Sequence, residues 1–147
     1  MPSRRRVVIL ERVEGAVPVA IPSRATPGSA CFDLCAAESI ELTRNAVTLV
    51  RTGFRMRAPS GTFLEVRPRS GLSSKGVLVV NAPGTIDRDY SGEVMVPLTY
   101  LFEGSYRIQA GDRIGQLRVV NDLPTTVRVG KVRPARSRVG GFGSTGR

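Results

Sequence analysis

The residues able to do chemistry fall in a few short clusters. In NAPGTIDRDYSGEV (81–94), two carboxylates, Asp87 and Asp89, and one ring, Tyr90, stand between turn-forming residues and a strand-like run. Pro fixes φ, Gly permits positive φ and Asn tolerates tight geometry, so 81–84 reads as a turn. Val94, Val96 and Leu98 then alternate with Met95, Pro97 and Thr99, the two-residue period of a strand. This pattern puts Asp87, Asp89 and Tyr90 around the head of a β-hairpin. A carboxylate held there can take a proton from water; a plain solvated turn has the same composition.

A second cluster is RPRSGLSSKG (67–76), where Pro and Gly punctuate a turn-like or single-turn helical piece bearing Arg69, Ser70 and Lys75. Fixed cations, a hydroxyl and exposed backbone N–H groups are what a phosphate chain requires, and a polar connecting loop looks similar. Asp33 lies inside the apolar stretch ACFDL, where a buried acid needs a partner and an outward-facing one does not. Gln116 falls inside GDRIGQLRVV, the position of a polar strand face. At the far end GGFGSTG offers glycines for close backbone approach and Phe142 for stacking on a base, although such a terminus commonly stays loose.

The elements that must position these residues read as strands. Candidates are 5–10, 16–21, 30–34, 39–42, 46–51, 53–57, 62–66, 77–80, 105–108, 114–120 and 125–129, with a turn at 109–112 joining two of them. Spacings of about 8–12 residues point to a sandwich or barrel. The chain has 147 residues, 41% of them hydrophobic, with 16 Gly and 10 Pro scattered among short β-branched runs. That suits one all-β domain with a core of its own, and no window holds a helical period.

With no His in the chain, His/Cys zinc sites and His-dependent triads are excluded. Cys31 and Cys35, four apart, read as reduced thiols of an intracellular protein, because a bridge between them is sterically awkward. The only apolar run near the start, Val7 to Leu10, is too short for a signal-peptide core, and no stretch suits a membrane span. A soluble, intracellular protein is expected, in nucleus or cytoplasm. The formal charge of +10 predicts attraction to anions and allows weak nonspecific nucleic-acid binding, without nucleic acid being required. With five Phe, three Tyr and no Trp, a platform for stacking single strands is poorly supported.

Five segments in order resemble the five motifs of the homotrimeric deoxyuridine triphosphatases (dUTPases): PGSACFDL (27–34), RPRSGLSSKG (67–76), NAPGTIDRDYSGEV (81–94), GDRIGQL (111–117) and GGFGSTG (140–146). The resemblance implies a distorted jelly-roll or β-sandwich protomer of the β-clip type, residues 1–130. A flexible C-terminal arm, 131–147, would carry the last motif, and three protomers would form a trimer with active sites at subunit interfaces. It implies hydrolysis of dUTP to dUMP and pyrophosphate, which keeps uracil out of DNA and supplies dUMP for dTMP synthesis.

By the same resemblance Asp87 is the base for the water that attacks the α-phosphorus. Asn81, with Gly84, Thr85, Ile86 and Met95 around it, corresponds to the uracil pocket, and Tyr90 to the ring under the deoxyribose. Arg69, Ser70, Gly71 and Gln116 correspond to phosphate contacts. Phe142, Gly143, Ser144 and Thr145 correspond to the capping arm, with Arg138 at the γ-phosphate. Mg2+ would be held mainly by substrate phosphates and waters, with Asp33 near that water shell. The chain departs from the family at Cys31 for Gly, at Ser91 for Arg, and at Ser137 for the fifth-motif Arg. Arg136 and Arg138 flank that last position, so a one-residue shift is expected to supply the cation.

Overall fold

The computed structural model describes residues 5–132. Ten strands and one helical turn follow each other as β1 (Ile9–Arg12), β2 (Phe32–Cys35), β3 (Ile40–Thr43), β4 (Thr48–Arg57), β5 (Thr62–Arg67), α1 (Ser70–Ser73), β6 (Val77–Val79), β7 (Gly84–Ile86), β8 (Glu93–Tyr100), β9 (Ser105–Ile108) and β10 (Arg113–Asn121). They form one sheet in the order β1-β4-β8-β6, another in the order β2-β10-β5-β7, and the pair β3-β9. The expected all-β, jelly-roll-like sandwich is what the chain forms. Among the described residues no helix is long and apolar enough to cross a membrane.

Alternation explains the layering. In β5, Thr62, Leu64 and Val66 are buried while their neighbours are half-exposed, and in β8 the buried set is Val94, Val96 and Leu98. These two faces meet Leu34, Val50, Phe54, Ile114 and Leu117 in one apolar cluster. Each such side chain stabilises the fold by about 1.5–3 kcal/mol relative to exposure. Thr52, buried within β4, donates its hydroxyl to the Val94 carbonyl at 2.6 Å, which offsets its desolvation.

Several local expectations change. The 81–100 stretch is not a hairpin: β7 pairs with β5, whereas β8 pairs with β4 and β6, so 87–92 crosses between sheets. The turn at 109–112 does join two strands, β9 and β10, which belong to different sheets: β9 pairs with β3, and β10 with β2 and β5. The candidates 46–51 and 53–57 are one strand, β4, with a register irregularity between Arg51 and Arg55 and with Gly53 at φ 75°. A left-handed φ there suits glycine. Segments 16–21 and 125–129 form no strand. In the first, Pro18 has no N–H for a ladder; the second leaves the sandwich with Val127 and Val129 fully in solvent. Of the arm expected from residue 131, only Lys131 and Val132 are described.

Candidate active site

Pairing of β2 with β10 sets Asp33 directly opposite Gln116, and Gln116 in turn faces Arg67 across β5. β5 then runs through Pro68 into α1, which delivers Arg69, Ser70 and Gly71 to the same corner. The result is a cleft of ≈ 350 Å³ bounded by Cys31, Asp33, Arg69, Ser70, Gly71 and Gln116. Arg69 Nε donates to Asp33 Oδ1 at 3.0 Å, and Arg113 Nη1 donates to Oδ2 at 3.4 Å. Asp33 is 17% exposed, so the acid embedded in an apolar stretch does have the partners its burial demands. Gln116 Nε2 donates to the Pro68 carbonyl at 2.8 Å and tethers the strand to the loop before α1. The N–H groups of Ser70 and Gly71 precede the first bonds of that turn, which the Arg69 carbonyl accepts from Leu72 and Ser73.

Desolvation pushes the Cys35 thiol above its ordinary value, and the Asp33 carboxylate adds to the rise while Arg113 and Arg69 oppose it. Both cysteines are free thiols, as expected.

The second cluster sits elsewhere on the chain. Asp87 is exposed, immediately beyond β7, the edge strand of its sheet. The Tyr90 N–H donates to the Asp87 carbonyl at 3.1 Å, and the Tyr90 hydroxyl donates to the Glu93 carbonyl at 3.0 Å. The ring thereby lies across Gly92, where a Cβ would overlap the Tyr90 hydroxyl. Glu93 anchors the end of the crossover: its carboxylate accepts from Arg51 Nε at 3.0 and 3.2 Å and from the Gly53 N–H at 2.9 Å. At the other end, a Cβ on Gly84 would sit 3.1–3.2 Å from the Asn81 amide, so the absent side chain makes room for that amide. Thr85 and Met95 are exposed and Ile86 is half-exposed.

Five of the sequence candidates, Asp33, Arg69, Ser70, Gly71 and Gln116, therefore meet in one cleft. Asn81, Gly84, Thr85, Ile86, Asp87, Tyr90 and Met95 do not line it. Arg138, Phe142, Gly143, Ser144 and Thr145 lie outside the described residues. Arg113, Glu93 and Gly92 were not singled out by sequence reading. No local signal marks Glu93, whose partners are some forty residues away.

A magnesium ion finds no protein cage here. Among the described residues no three His, Cys, Asp or Glu side chains converge, and both oxygens of Asp33 are taken by guanidinium groups.

Comparison with known proteins agrees with this architecture. The dUTPase family model matches residues 18–146. The deoxyuridine 5'-triphosphate nucleotidohydrolase of Wolinella succinogenes is 45% identical over 130 residues, covering 86% of this chain and 87% of that protein. The protein of the same name from Caulobacter vibrioides is 44% identical over 143 residues, covering 92% of each. A solved structure of the dUTPase of phage 80alpha superposes with a TM-score of 0.79 at 24% identity, covering 98% of this chain and 99% of that one, a likeness of fold. With the family model spanning nearly the whole chain and relatives this similar along most of its length, the chain belongs to the dUTPase family.

Proposed function

We infer that this protein hydrolyses dUTP to dUMP and pyrophosphate by attack of water on the α-phosphorus. The observation that carries the reading is the cleft in which Arg69, Ser70, Gly71 and Gln116 converge, on a chain that belongs to the dUTPase family. A triphosphate carries about four negative charges, and its departure as pyrophosphate needs cations and hydrogen-bond donors already in place. Arg69 supplies a guanidinium, Ser70 a hydroxyl, and the start of α1 the N–H groups of Ser70 and Gly71, which precede its first backbone bonds. Magnesium, held by phosphate oxygens and water, neutralises charge on the leaving group when bound.

Asp87 acts as the base that takes the proton of the attacking water. Asn81 reads the uracil edge through its amide, with Gly84, Thr85, Ile86 and Met95 around it, and Tyr90 packs on the deoxyribose where a 2′-hydroxyl would clash. Arg138, Phe142, Gly143, Ser144 and Thr145 close over the nucleotide and exclude bulk water.

In one chain neither Asp87 nor Tyr90 lines the phosphate cleft, as expected of a site that takes its base from another copy. That supports a homotrimer with sites between subunits; light scattering at micromolar concentration gives a trimer mass on this reading and a monomer mass against it.

The decisive assay is pyrophosphate release from dUTP, dCTP, dTTP and UTP with magnesium, for wild type and Asp87→Asn. Turnover is expected with dUTP alone, and the variant should lose about 10²- to 10⁴-fold in kcat, the usual contribution of a positioned base. A folded wild type that is silent on all four nucleotides sinks the reading.

A further inference from the structure

The phosphate cleft holds a guanidinium whose aim depends on a residue outside it. We propose that Arg113 is a positioning residue for the phosphate subsite, acting through Asp33 to hold the Arg69 guanidinium towards the cleft. The inference rests on the reading that this cleft takes the phosphates of dUTP.

The geometry is a three-member relay. Asp33 divides its two oxygens, Oδ1 to Arg69 at 3.0 Å and Oδ2 to Arg113 at 3.4 Å. Arg69 Nη1 also donates to the main-chain carbonyl of Arg113 at 3.4 Å, so both ends of the Arg69 guanidinium are set by β2 and β10. A carboxylate with one free oxygen can rotate about its terminal bond and swing a bound guanidinium with it. Engaging the second oxygen removes that freedom. Arg69 is 24% exposed and Asp33 17%, whereas the Arg113 side chain is 55% exposed and does not line the cleft. Among the described residues, Arg113 thus reaches the site through Asp33 and its own backbone.

A backbone irregularity makes this contact. Arg113 and Gln116 are three residues apart, and in a regular strand an odd separation sends side chains to opposite faces. The β2–β10 ladder slips between Arg113 and Gly115: Gly115 faces Leu34, yet Arg113, two residues back, faces Cys35, one residue on. The extra residue brings Arg113 round to the side shared by Asp33 and Gln116, while Ile114 and Gly115 are both buried in succession. A bulge that re-aims a side chain beside a ligand cleft is a recurrent device. Gly115, at the slip, is closely packed: a Cβ there would stand 3.2 Å from Val66 Cγ1 and 3.4 Å from the Arg67 carbonyl.

The test is a double-mutant cycle on the full-length protein with Arg113→Ala, Asp33→Asn and the pair, reading kcat and KM for dUTP and competitive inhibition by pyrophosphate and by dUMP. Asp33→Asn should raise both KM and the pyrophosphate inhibition constant about ten-fold, as expected for a charge-assisted bond at a partly buried site. Arg113→Ala should raise both by about two- to five-fold, the range for a half-exposed pair, with kcat and the dUMP constant close to wild type. Independent effects would multiply in the double variant; the relay requires the double to match Asp33→Asn alone. Arg113→Lys, which keeps a charge on Asp33, should restore most of the loss.

Multiplying effects, a fall in kcat without a change in KM, or equal shifts for dUMP and pyrophosphate each overturn the proposal. Arg113→Gln, close in length and without the charge, carries the same test if alanine lowers the melting temperature. Failure of the underlying reading looks different, because the wild type itself then releases no pyrophosphate from dUTP.

Discussion

Glu93→Ala is the substitution whose consequence the structure sets most directly. The Glu93 side chain is 10% exposed and ties the end of the 87–92 crossover to β4. It accepts from Arg51 Nε through both oxygens and from the Gly53 N–H at the irregular point of that strand. Truncation strands the N–H of Gly53, a buried residue, at a cost of about 1–3 kcal/mol. It also unpairs Arg51. Breaking a fully buried pair costs about 3–5 kcal/mol, but Arg51 keeps 30% of its side chain in water, so its share falls well below that range. A total near 3 kcal/mol follows, or about 6–12 °C in Tm for a domain of this size.

Glu93→Gln keeps an acceptor for the Gly53 N–H and loses only the charge, so about half that loss is expected. Urea unfolding at two protein concentrations separates this effect from that of assembly, because association makes apparent stability concentration-dependent. A Glu93→Ala change below about 0.5 kcal/mol, the scale of an ordinary surface substitution, would refute the reasoning. So would a glutamine variant less stable than the alanine one.

Gly92→Ala drives a Cβ into the Tyr90 ring and hydroxyl, so the ring must leave its bond to the Glu93 carbonyl. The preference for dUTP over UTP in kcat/KM should fall roughly ten-fold, towards the limit of a pocket that rejects one hydroxyl; an unchanged ratio removes Tyr90 as the sugar selector. Cys35 gives a pH dependence. Its folded-state pKa is raised above 9.0, chiefly by burial and then by Asp33, so its contribution to stability is full below the unfolded value and is lost as pH rises through the folded one. The stability difference between wild type and Cys35→Ser should therefore shift against wild type above pH 9.0, and a difference flat with pH by urea titration contradicts the burial argument.

What the sequence alone determined was local and periodic. Leu64 and Val66 in β5, and Val94, Val96 and Leu98 in β8, announce their buried faces by alternation. An acid within ACFDL left open whether it was buried with a partner or faced outward, whereas the Pro- and Gly-punctuated segment 67–76 does carry the single helical turn α1. The five ordered motifs were legible because residue type and order survive without coordinates.

Strand partners were not legible, since pairing is decided by which apolar faces share a core across long separations. A turn flanked by two strands looks like a hairpin whether or not the strands join, and β7 and β8 went to different sheets. Nor does alternation guarantee a ladder: Val127 and Val129 have the period of a strand, but in the described chain no neighbour covers them. Arg113 shows the same limit at atomic scale. Counting along the chain puts it on the face away from Gln116, and only the bulge between Arg113 and Gly115 turns it onto Asp33. Periodicity counts residues, whereas the third dimension decides where one residue is left out of the count.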